Sequence, residues 1–180
     1  ISSGIYKGAE TLLKTADILK KYTDVDFEWR VIGIDPNDST FRISQKYVNL
    51  NYKDINIKLL GRKDADDVVR ILLDTDIYCH VSHIENSPNS VCEAMILGLP
   101  IIATYSGGTT SILENNKEGI LIQDGDPYIC AGCILDLYRN EEIAKLLGQN
   151  ARKRALIRHN PQTIANCLFN IYQDIKANNK

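Results

Sequence analysis

The sequence has no excess of positive charge and no uninterrupted apolar run. Twenty-one Lys and Arg residues stand against 23 Asp and Glu, which gives the 180 residues a net charge of −2. A protein that binds duplex nucleic acid needs a clustered basic face, so we expect no nucleic-acid partner. Residues 94–113 carry no charged side chain, but Gly98, Pro100 and the pair Gly107-Gly108 interrupt them. The segment 94–113 is therefore predicted to form buried elements and turns instead of a membrane span.

The sequence also lacks the patterns of a disulfide framework, a zinc site or a signal peptide. Its five cysteines are an odd number, which is typical of a reducing compartment and favours a cytoplasmic location. Cys130 and Cys133 form a CxxC with no second pair, so we expect both to pack in the core. Neither His80 nor His159 is a metal ligand by spacing. The absence of an initiator Met before Ile1 indicates an excised piece of a longer protein.

Apolar residues recur with alternating helical and strand periods along the whole chain. Helices are predicted over residues 9–22, 40–50, 65–73, 88–97, 109–114, 128–139, 141–157 and 161–176. Strands are predicted over residues 27–34, 56–60, 76–81, 101–103 and 119–122. Strands that alternate with helices at this spacing predict an α/β fold with a doubly wound parallel sheet and right-handed crossovers.

Ligands of such sheets bind beyond the carboxyl ends of the strands. The loops to search are therefore residues 2–8, 61–64, 82–90 and 105–109. We expect the sheet domain to span residues 1–160. The remaining helix carries a narrow stripe of apolar residues, which consists of Ile164, Leu168, Ile171 and Ile175.

Glu93 is the only charged side chain between Asn86 and Leu113, in a segment that otherwise has an interior composition. A buried unpaired charge costs several kcal/mol. The carboxyl group must therefore be protonated, be paired within the protein, or face a polar ligand. The residues alone leave these alternatives open.

Glu85 lies eight positions earlier, in the loop that leads into the same helix. The amide groups of residues 86–90 would face the cleft, and a helix N-terminus favours anions such as phosphate. The alternative is a solvated loop carboxylate, with Ser87 capping a helix that begins at Pro88. Two alternatives are also open for His83, which either contacts the ligand or lies in solvent. His80 is expected in the core or at a strand edge.

The sequence ENSPNSVCEAMILGLP over residues 85–100 resembles the E-x7-E signature of the family-4 retaining glycosyltransferases. Further pieces follow in the expected order along the whole chain: Lys7-Gly8, Gly61, Gly107-Gly108 and Glu118-Gly119. Members of this family have the GT-B architecture, in which an N-terminal acceptor domain and a C-terminal donor domain face each other across a cleft. This chain resembles the donor domain alone, and the resemblance implies that neither a metal nor another cofactor is needed.

The resemblance implies a role for each matching residue toward a UDP- or GDP-sugar. Glu93 would accept hydrogen bonds from both ribose hydroxyls, and Glu85 would contact the transferred sugar. Lys7 would act on the diphosphate as the second catalytic residue. The donor-binding residues would further include Asn86, Ser87, Pro88, Asn89, Ser90, Gly61, Arg62, Gly107 and Gly108. Gly61 and Arg62 would frame the base, and the terminal helix, residues 161–180, would cross back to the N-terminal domain.

Three departures from the family pattern bear on activity. The stretch Ser2 to Tyr6 lacks the Arg that usually accompanies the Lys on the diphosphate. Asn86 and Pro88 stand where many members have Gly, and Ser111 replaces a usual Glu. The expected function is sugar transfer to a glycan or lipid-linked acceptor, with peripheral membrane association through the other half. A binding module without transfer activity is the alternative. A flavodoxin-like signalling or redox domain would need an acidic phosphoacceptor cluster or a flavin loop, and the sequence has neither.

Overall fold

The structure, a computed structural model, describes residues 4–178 and contains five strands and eight α-helices within them. The strands are β1 (Trp29–Ile32), β2 (Ile57–Gly61), β3 (Tyr78–His80), β4 (Ile101–Thr104) and β5 (Ile120–Ile122). The helices are α1 (Ala9–Tyr22), α2 (Ser39–Val48), α3 (Ala65–Leu73), α4 (Asn89–Leu97), α5 (Thr109–Ile112), α6 (Pro127–Arg139), α7 (Glu141–Arg158) and α8 (Pro161–Asn178). Two short 3-10 turns cover Ile5–Lys7 and Tyr52–Ile55. The observed bounds of α1 and α3 equal the predicted ones.

All strand pairs in the described residues are parallel, which confirms the α/β class. β1 pairs with β2, and β4 lies between β3 and β5. Within residues 4–178, no ladder joins β1 to β3. The sheet is therefore divided into a two-stranded and a three-stranded part.

Helices cover both faces of the strands, so that β4 is buried along its whole length. Ile102 belongs to the core that α1 and α6 cover, whereas Ile101 and Ala103 belong to the core of α4 and α7. Successive side chains of a strand point to opposite faces, which explains the uncharged sequence of β4. Cys130 is buried in the core that α1 and α6 cover, and Cys133 packs against that core, in agreement with the predicted packing role.

Helices α4 and α7 approach each other closely at two glycines. A Cβ atom added to Gly148 of α7 would lie 2.1 Å from the main-chain oxygen of Gly98, which follows α4. That distance is far inside van der Waals contact. The packing of these two helices therefore requires glycine at position 148.

Helix α8 projects its side chains into solvent. The four stripe residues, Ile164, Leu168, Ile171 and Ile175, are between 45% and 53% exposed. The stripe is therefore partly exposed in this chain, and the crossing of this helix to another domain stays a prediction. No helix within residues 4–178 combines the length and the apolar character that crossing a membrane requires.

We expect Gly148→Ala to destabilise the protein and Gly132→Ala to stabilise it. The added methyl group at position 148 must separate α4 from α7, which costs on the order of 1–3 kcal/mol. Gly132 lies inside α6 with no atom within 4 Å of an added Cβ. Alanine there gains up to about 1 kcal/mol of helix propensity. Urea unfolding of the two variants measures both changes, and equal effects would contradict the close packing at Gly148.

Candidate functional site

Lys7 and Glu85 form an ion pair at the carboxyl end of β3. Lys7 closes the turn that precedes α1, and Glu85 lies in the loop that follows β3. The Nζ group of Lys7 donates a hydrogen bond to Oε1 of Glu85. Their side chains are only 16% and 9% exposed. The alternative of a solvated Glu85 is therefore wrong, because the fold brings a cation from 78 residues away onto this carboxylate.

Two further side chains surround the Glu85 carboxylate. Nε2 of His80 lies 3.1 Å from Oε1 of Glu85, in an orientation that makes no hydrogen bond. Burial would raise the pKa of Glu85, but hydrogen bonds from Lys7 and Ser82 and the nearby His80 hold the pKa below its usual value. Burial lowers the pKa of His80, although Glu85 opposes the shift. Near neutral pH the site thus contains a carboxylate, an ammonium and an uncharged imidazole.

The sequence did not assign His80 to the site. Its position in a predicted strand indicated a core or edge residue, and the side chain is indeed buried at 8% exposure. The placement beside Glu85 follows from the carboxyl end of β3, where the strand turns into the site loop. His80 is the last but one residue of the predicted strand 76–81, and that position carries no signal that separates a core role from a role in the site.

Close main-chain contacts hold the site loop on two sides. Added Cβ atoms would lie 1.9 Å from the oxygen of Val81 at Gly8, and 1.6 Å from the oxygen of Glu85 at Gly107. At Gly108 the added atom would lie 1.8 Å from the oxygen of Asn86. Only glycine permits such approaches, so these three residues fix the course of the loop. Gly107 and Gly108 touch its main chain and do not line the cavity described below.

The first turn of α4 presents free amide groups. Pro88 occupies the N-cap position in an extended conformation, and no side chain caps the helix. The alternative in which Ser87 caps this helix is therefore wrong, because the helix begins at Asn89, one residue later than predicted. The oxygen of Pro88 accepts hydrogen bonds from Val91 and Cys92. Within residues 4–178, no acceptor engages the N–H groups of Asn89 and Ser90.

Glu93 stands one turn further along α4 and is exposed. Its carboxylate makes no hydrogen bond or ion pair with any other described residue. The segment appeared interior because Val91, Ala94 and Met95 are fully buried at the spacing of one helix face. Glu93 lies outside that face, so its charge needs no internal partner and remains available to a ligand.

A cavity of about 1090 Å³ opens beside these groups. It is lined at this end by Lys7, Glu85, Ser87, Pro88, Asn89, Ser90 and Glu93. Asn86 lies outside the lining, as do Gly61 and Arg62. Gly61 ends β2, and β1 lies between β2 and this cavity, so the assignment of Gly61 and Arg62 to the base stays a prediction.

His83 belongs to a separate charged cluster next to the site loop. Its Nε2 contacts the Glu10 carboxylate, and its Nδ1 lies 3.3 Å from Oδ2 of Asp124. The ring is 24% exposed and does not line the cavity. His83 therefore links α1 to the loop before α6. The solvated alternative for this residue is wrong.

The chemistry of the site is that of an anion and hydroxyl binder. One ammonium and two free amides suit a phosphate group. The carboxylates of Glu85 and Glu93, which lie on either side of these groups, suit hydroxyl donors, since an ionised carboxylate only accepts hydrogen bonds. Among the residues that the structure describes, no group of three or more His, Cys, Asp or Glu side chains is arranged to hold a metal ion.

We expect His80 to make the folded state sensitive to mild acid. Because its pKa in the folded state is below the ordinary value of 6.5, the unfolded chain takes up the proton first as the pH falls. Stability should therefore decrease from about pH 7 toward pH 5, by at most about 1.4 kcal/mol per pH unit for this one proton. His80→Asn should flatten that decrease.

The matched control for this experiment is Gln162→Asn, which changes no titratable group at an exposed position of α8. Urea unfolding at several pH values should show the same slope in this variant as in the wild type. A slope that His80→Asn leaves unchanged would contradict the assignment. Glu85, whose pKa is also lowered, adds a separate loss of stability below its ordinary value of about 4.5.

Comparison with curated proteins gives relatives that are about twice as long or longer. The chain is 30% identical over 151 residues to the uncharacterised glycosyltransferase MJ1178 of Methanocaldococcus jannaschii, which covers 83% of this chain and 42% of that protein. It is 28% identical over 161 residues to the N-acetyl-alpha-D-glucosaminyl L-malate synthase of Bacillus anthracis. This alignment covers 89% of this chain and 41% of that protein. The chain thus spans less than half of these relatives.

Comparison with solved structures supports the fold. HepE from Anabaena, solved in complex with UDP, superposes with a TM-score of 0.77 at 20% identity over 94% of this chain and 47% of that chain. The family model of the glycosyl transferases group 1 matches residues 4–154, from the turn before α1 to the last part of α7. With its parallel α/β fold, this chain belongs to the family of glycosyl transferases group 1.

Proposed function

We propose that this chain is the donor-binding half of a retaining glycosyltransferase. The whole enzyme transfers the sugar of a UDP- or GDP-sugar to a glycan or lipid-linked acceptor. The observation that carries the proposal is the unpaired Glu93 carboxylate, which shares a cavity with the Lys7–Glu85 pair. The UDP complex of HepE, a protein of the same fold, supports a nucleotide-sugar ligand.

Glu93 binds the ribose of the donor. A carboxylate accepts hydrogen bonds from two neighbouring hydroxyl groups at once. The side chain is exposed and makes no hydrogen bond within residues 4–178, so binding breaks no internal contact. Its position one turn into α4 leaves the first turn of the helix for the phosphates.

Lys7 and the amides of Asn89 and Ser90 bind the diphosphate. In the free site the ammonium of Lys7 is paired with Glu85. A diphosphate carries more negative charge than the carboxylate and attracts the ammonium away from it. The two amides supply donors that no acceptor within residues 4–178 occupies. As the glycosidic bond breaks, the same groups stabilise the charge that builds on the leaving group.

Glu85 then accepts hydrogen bonds from hydroxyls of the transferred sugar. Its lowered pKa keeps it ionised near neutral pH, which a pure acceptor requires. His80, buried beside it, restricts the position of the carboxylate from the strand side. Gly61 and Arg62 remain proposed neighbours of the base, by resemblance to the family alone.

The other half of the cleft belongs to an N-terminal acceptor domain. Transfer needs both walls, because exclusion of water from the donor strengthens the electrostatic contacts in the site. We propose that α8 packs against that domain through its exposed stripe, and that any contact with a membrane is made by that domain. The reaction needs no metal, since Lys7 and the helix amides meet the diphosphate.

A binding module without transfer activity is the second candidate. Gly4, Ile5 and Tyr6 supply no second cation beside Lys7, and Ser2 and Ser3 of the same stretch lie outside the described residues. The test is sugar transfer by the longer protein, with labelled UDP-glucose and GDP-mannose as donors. Measured transfer supports the enzyme, and tight donor binding with no transfer supports the binding module.

We expect Lys7→Ala to weaken binding of the nucleoside diphosphate much more than binding of the nucleoside. Loss of a charge-assisted contact costs about 1.5–3 kcal/mol, or roughly 10-fold to 100-fold in the dissociation constant. Calorimetric titration with UDP and uridine measures the ratio. Lys46→Ala, on an exposed position of α2, is the control. Equal losses for both ligands would exclude a phosphate contact by Lys7.

Replacement of Glu93 by Gln should reduce affinity for UDP by a factor of roughly 5 to 100, because an amide accepts one fewer hydrogen bond and carries no charge. Affinity for a diphosphate that lacks ribose should remain the same. Glu142→Gln, at an exposed position of α7, is the control. If Glu93→Gln binds UDP normally but unfolds at lower temperature, the carboxylate has a structural role and the ribose assignment is wrong.

A further inference from the structure

We propose that a basic groove on helix α7 binds the chain of an acidic glycan, the part of the acceptor that extends beyond the reacting sugar. The groove encloses about 480 Å³. Its cationic lining residues are Lys117, Lys153, Arg154 and Arg158, and Glu118 is the acidic residue of the lining. This excess of positive charge is local, because the chain has a net charge of −2. The proposal rests on the proposed function, since only a transferase has an acceptor.

Two cations of the groove are neutralised by carboxylates of the chain itself. Nε of Arg154 lies 3.4 Å from Oε2 of Glu118, and that carboxylate also accepts a hydrogen bond from the N–H of Glu114. Nε of Arg154 further donates to the main-chain oxygen of Ile112 at 3.0 Å. Nζ of Lys117 lies 3.0 Å from Oε2 of Glu114. These two cations therefore shape the groove and contribute little free charge to it.

The other two cations have no carboxylate partner within residues 4–178. Lys153 is exposed and takes part in no ion pair or hydrogen bond of the described chain. Arg158, also exposed, donates to the main-chain oxygen of Ser111 at 3.3 Å, and Arg154 donates to the same oxygen at 3.4 Å. The hydroxyl of Ser111 donates to the oxygen of Gly108. Position 111 therefore supplies no negative charge at the point where the two guanidinium groups meet.

The spacing of the free cations indicates the class of ligand. Lys153 and Arg158 are five positions apart on one helix, which separates their Cα atoms by about 7.5 Å along the helix axis. Ile157 stands between them in the lining, and its side chain is 71% exposed. A compact anion such as phosphate concentrates its charge at one point and has no apolar surface for Ile157 to cover. A chain of sugar rings with a carboxylate on each ring supplies separate charges together with apolar ring faces.

The location of the groove indicates that this glycan is the acceptor. Gly107 and Gly108 pack against the main chain of Glu85 and Asn86, and α5 follows them directly. Ser111 belongs to α5, whose four residues rise about 6 Å. The groove therefore begins one short helix away from the loop that carries the proposed sugar-binding carboxylate. A glycan whose end reaches the transferred sugar can pass over α5 into the groove, while the nucleotide is held at the start of α4.

The test is a titration of the 180-residue chain with a short oligogalacturonate, a glycan that carries a carboxylate on each ring. Its fully methyl-esterified form has the same rings without the charges and is the matched ligand control. Two-dimensional NMR of the α7 amides and of the arginine side chains reports where each ligand binds. UDP is titrated separately and is read from the amides at the start of α4, so that a failure of the proposed function is distinguished from a failure of this site.

Two variants test the groove itself. Ser111→Glu places a carboxylate beside Arg154 and Arg158, and its control, Ser39→Glu, makes the same change at an exposed position of α2. Lys153→Ala removes a cation that has no contact with another described residue, so that the fold is retained.

We expect oligogalacturonate, but not its methyl ester, to shift the signals of Lys153, Arg154 and Arg158. Ser111→Glu should weaken this binding about tenfold or more, because the new carboxylate engages both guanidinium groups. Lys153→Ala should weaken it about twofold to fivefold, the range of an exposed ion pair, and Lys46→Ala should leave it unchanged.

Equal binding of the acid and its methyl ester overturns the proposal, as does an equal loss in Ser111→Glu and Ser39→Glu. Tighter binding of a polyglutamate peptide of the same charge also overturns it, because the groove then suits a protein partner. Shifts at Asn89 and Ser90 instead of the groove would place the glycan in the donor site and overturn it as well. If the groove binds the glycan while UDP does not bind at α4, the acidic-glycan site stands and the proposed function fails.

Discussion

The close contact of main chains around residues 81–88 is the constraint on which the site depends. Gly8 packs against this loop from the start of α1, and Gly107 and Gly108 pack against it from the turn after β4. No residue with a Cβ atom fits at these contacts. They place Glu85 opposite Lys7, and they place the first turn of α4 at the same edge of the sheet.

The electrostatics of the site follow from that placement. A single ammonium neutralises a carboxylate that is only 9% exposed, while Glu93 and two helix amides have no partner among the described residues. The free site thus holds one satisfied pair and several unsatisfied groups that match the parts of a nucleotide sugar. A ligand that carries phosphate and hydroxyl groups completes these hydrogen bonds without unfolding any element.

Much of the fold and of the site could be predicted from the sequence, because both depend on local patterns. The bounds of α1 and α3 follow from apolar spacing, and the Glu85 and Glu93 signature lies on a single loop and helix. The role of His80 could not be predicted, since the contact with Glu85 depends on how a loop turns back. The exposure of Glu93 could not be predicted, because the residues around it in the sequence are apolar. The division of the sheet into two parts could not be predicted either, because the pattern of a strand does not specify its neighbours.

The most direct test of the account is to map UDP onto the chain by two-dimensional NMR of its amide groups, together with the side-chain ammonium of Lys7. The account predicts that the signals of Asn89, Ser90 and Lys7 shift most at saturation, and that uridine alone moves the two amides little. Shifts centred instead on the basic groove formed by Lys153, Arg154 and Arg158 of α7 would contradict it, as would no shift at the start of α4.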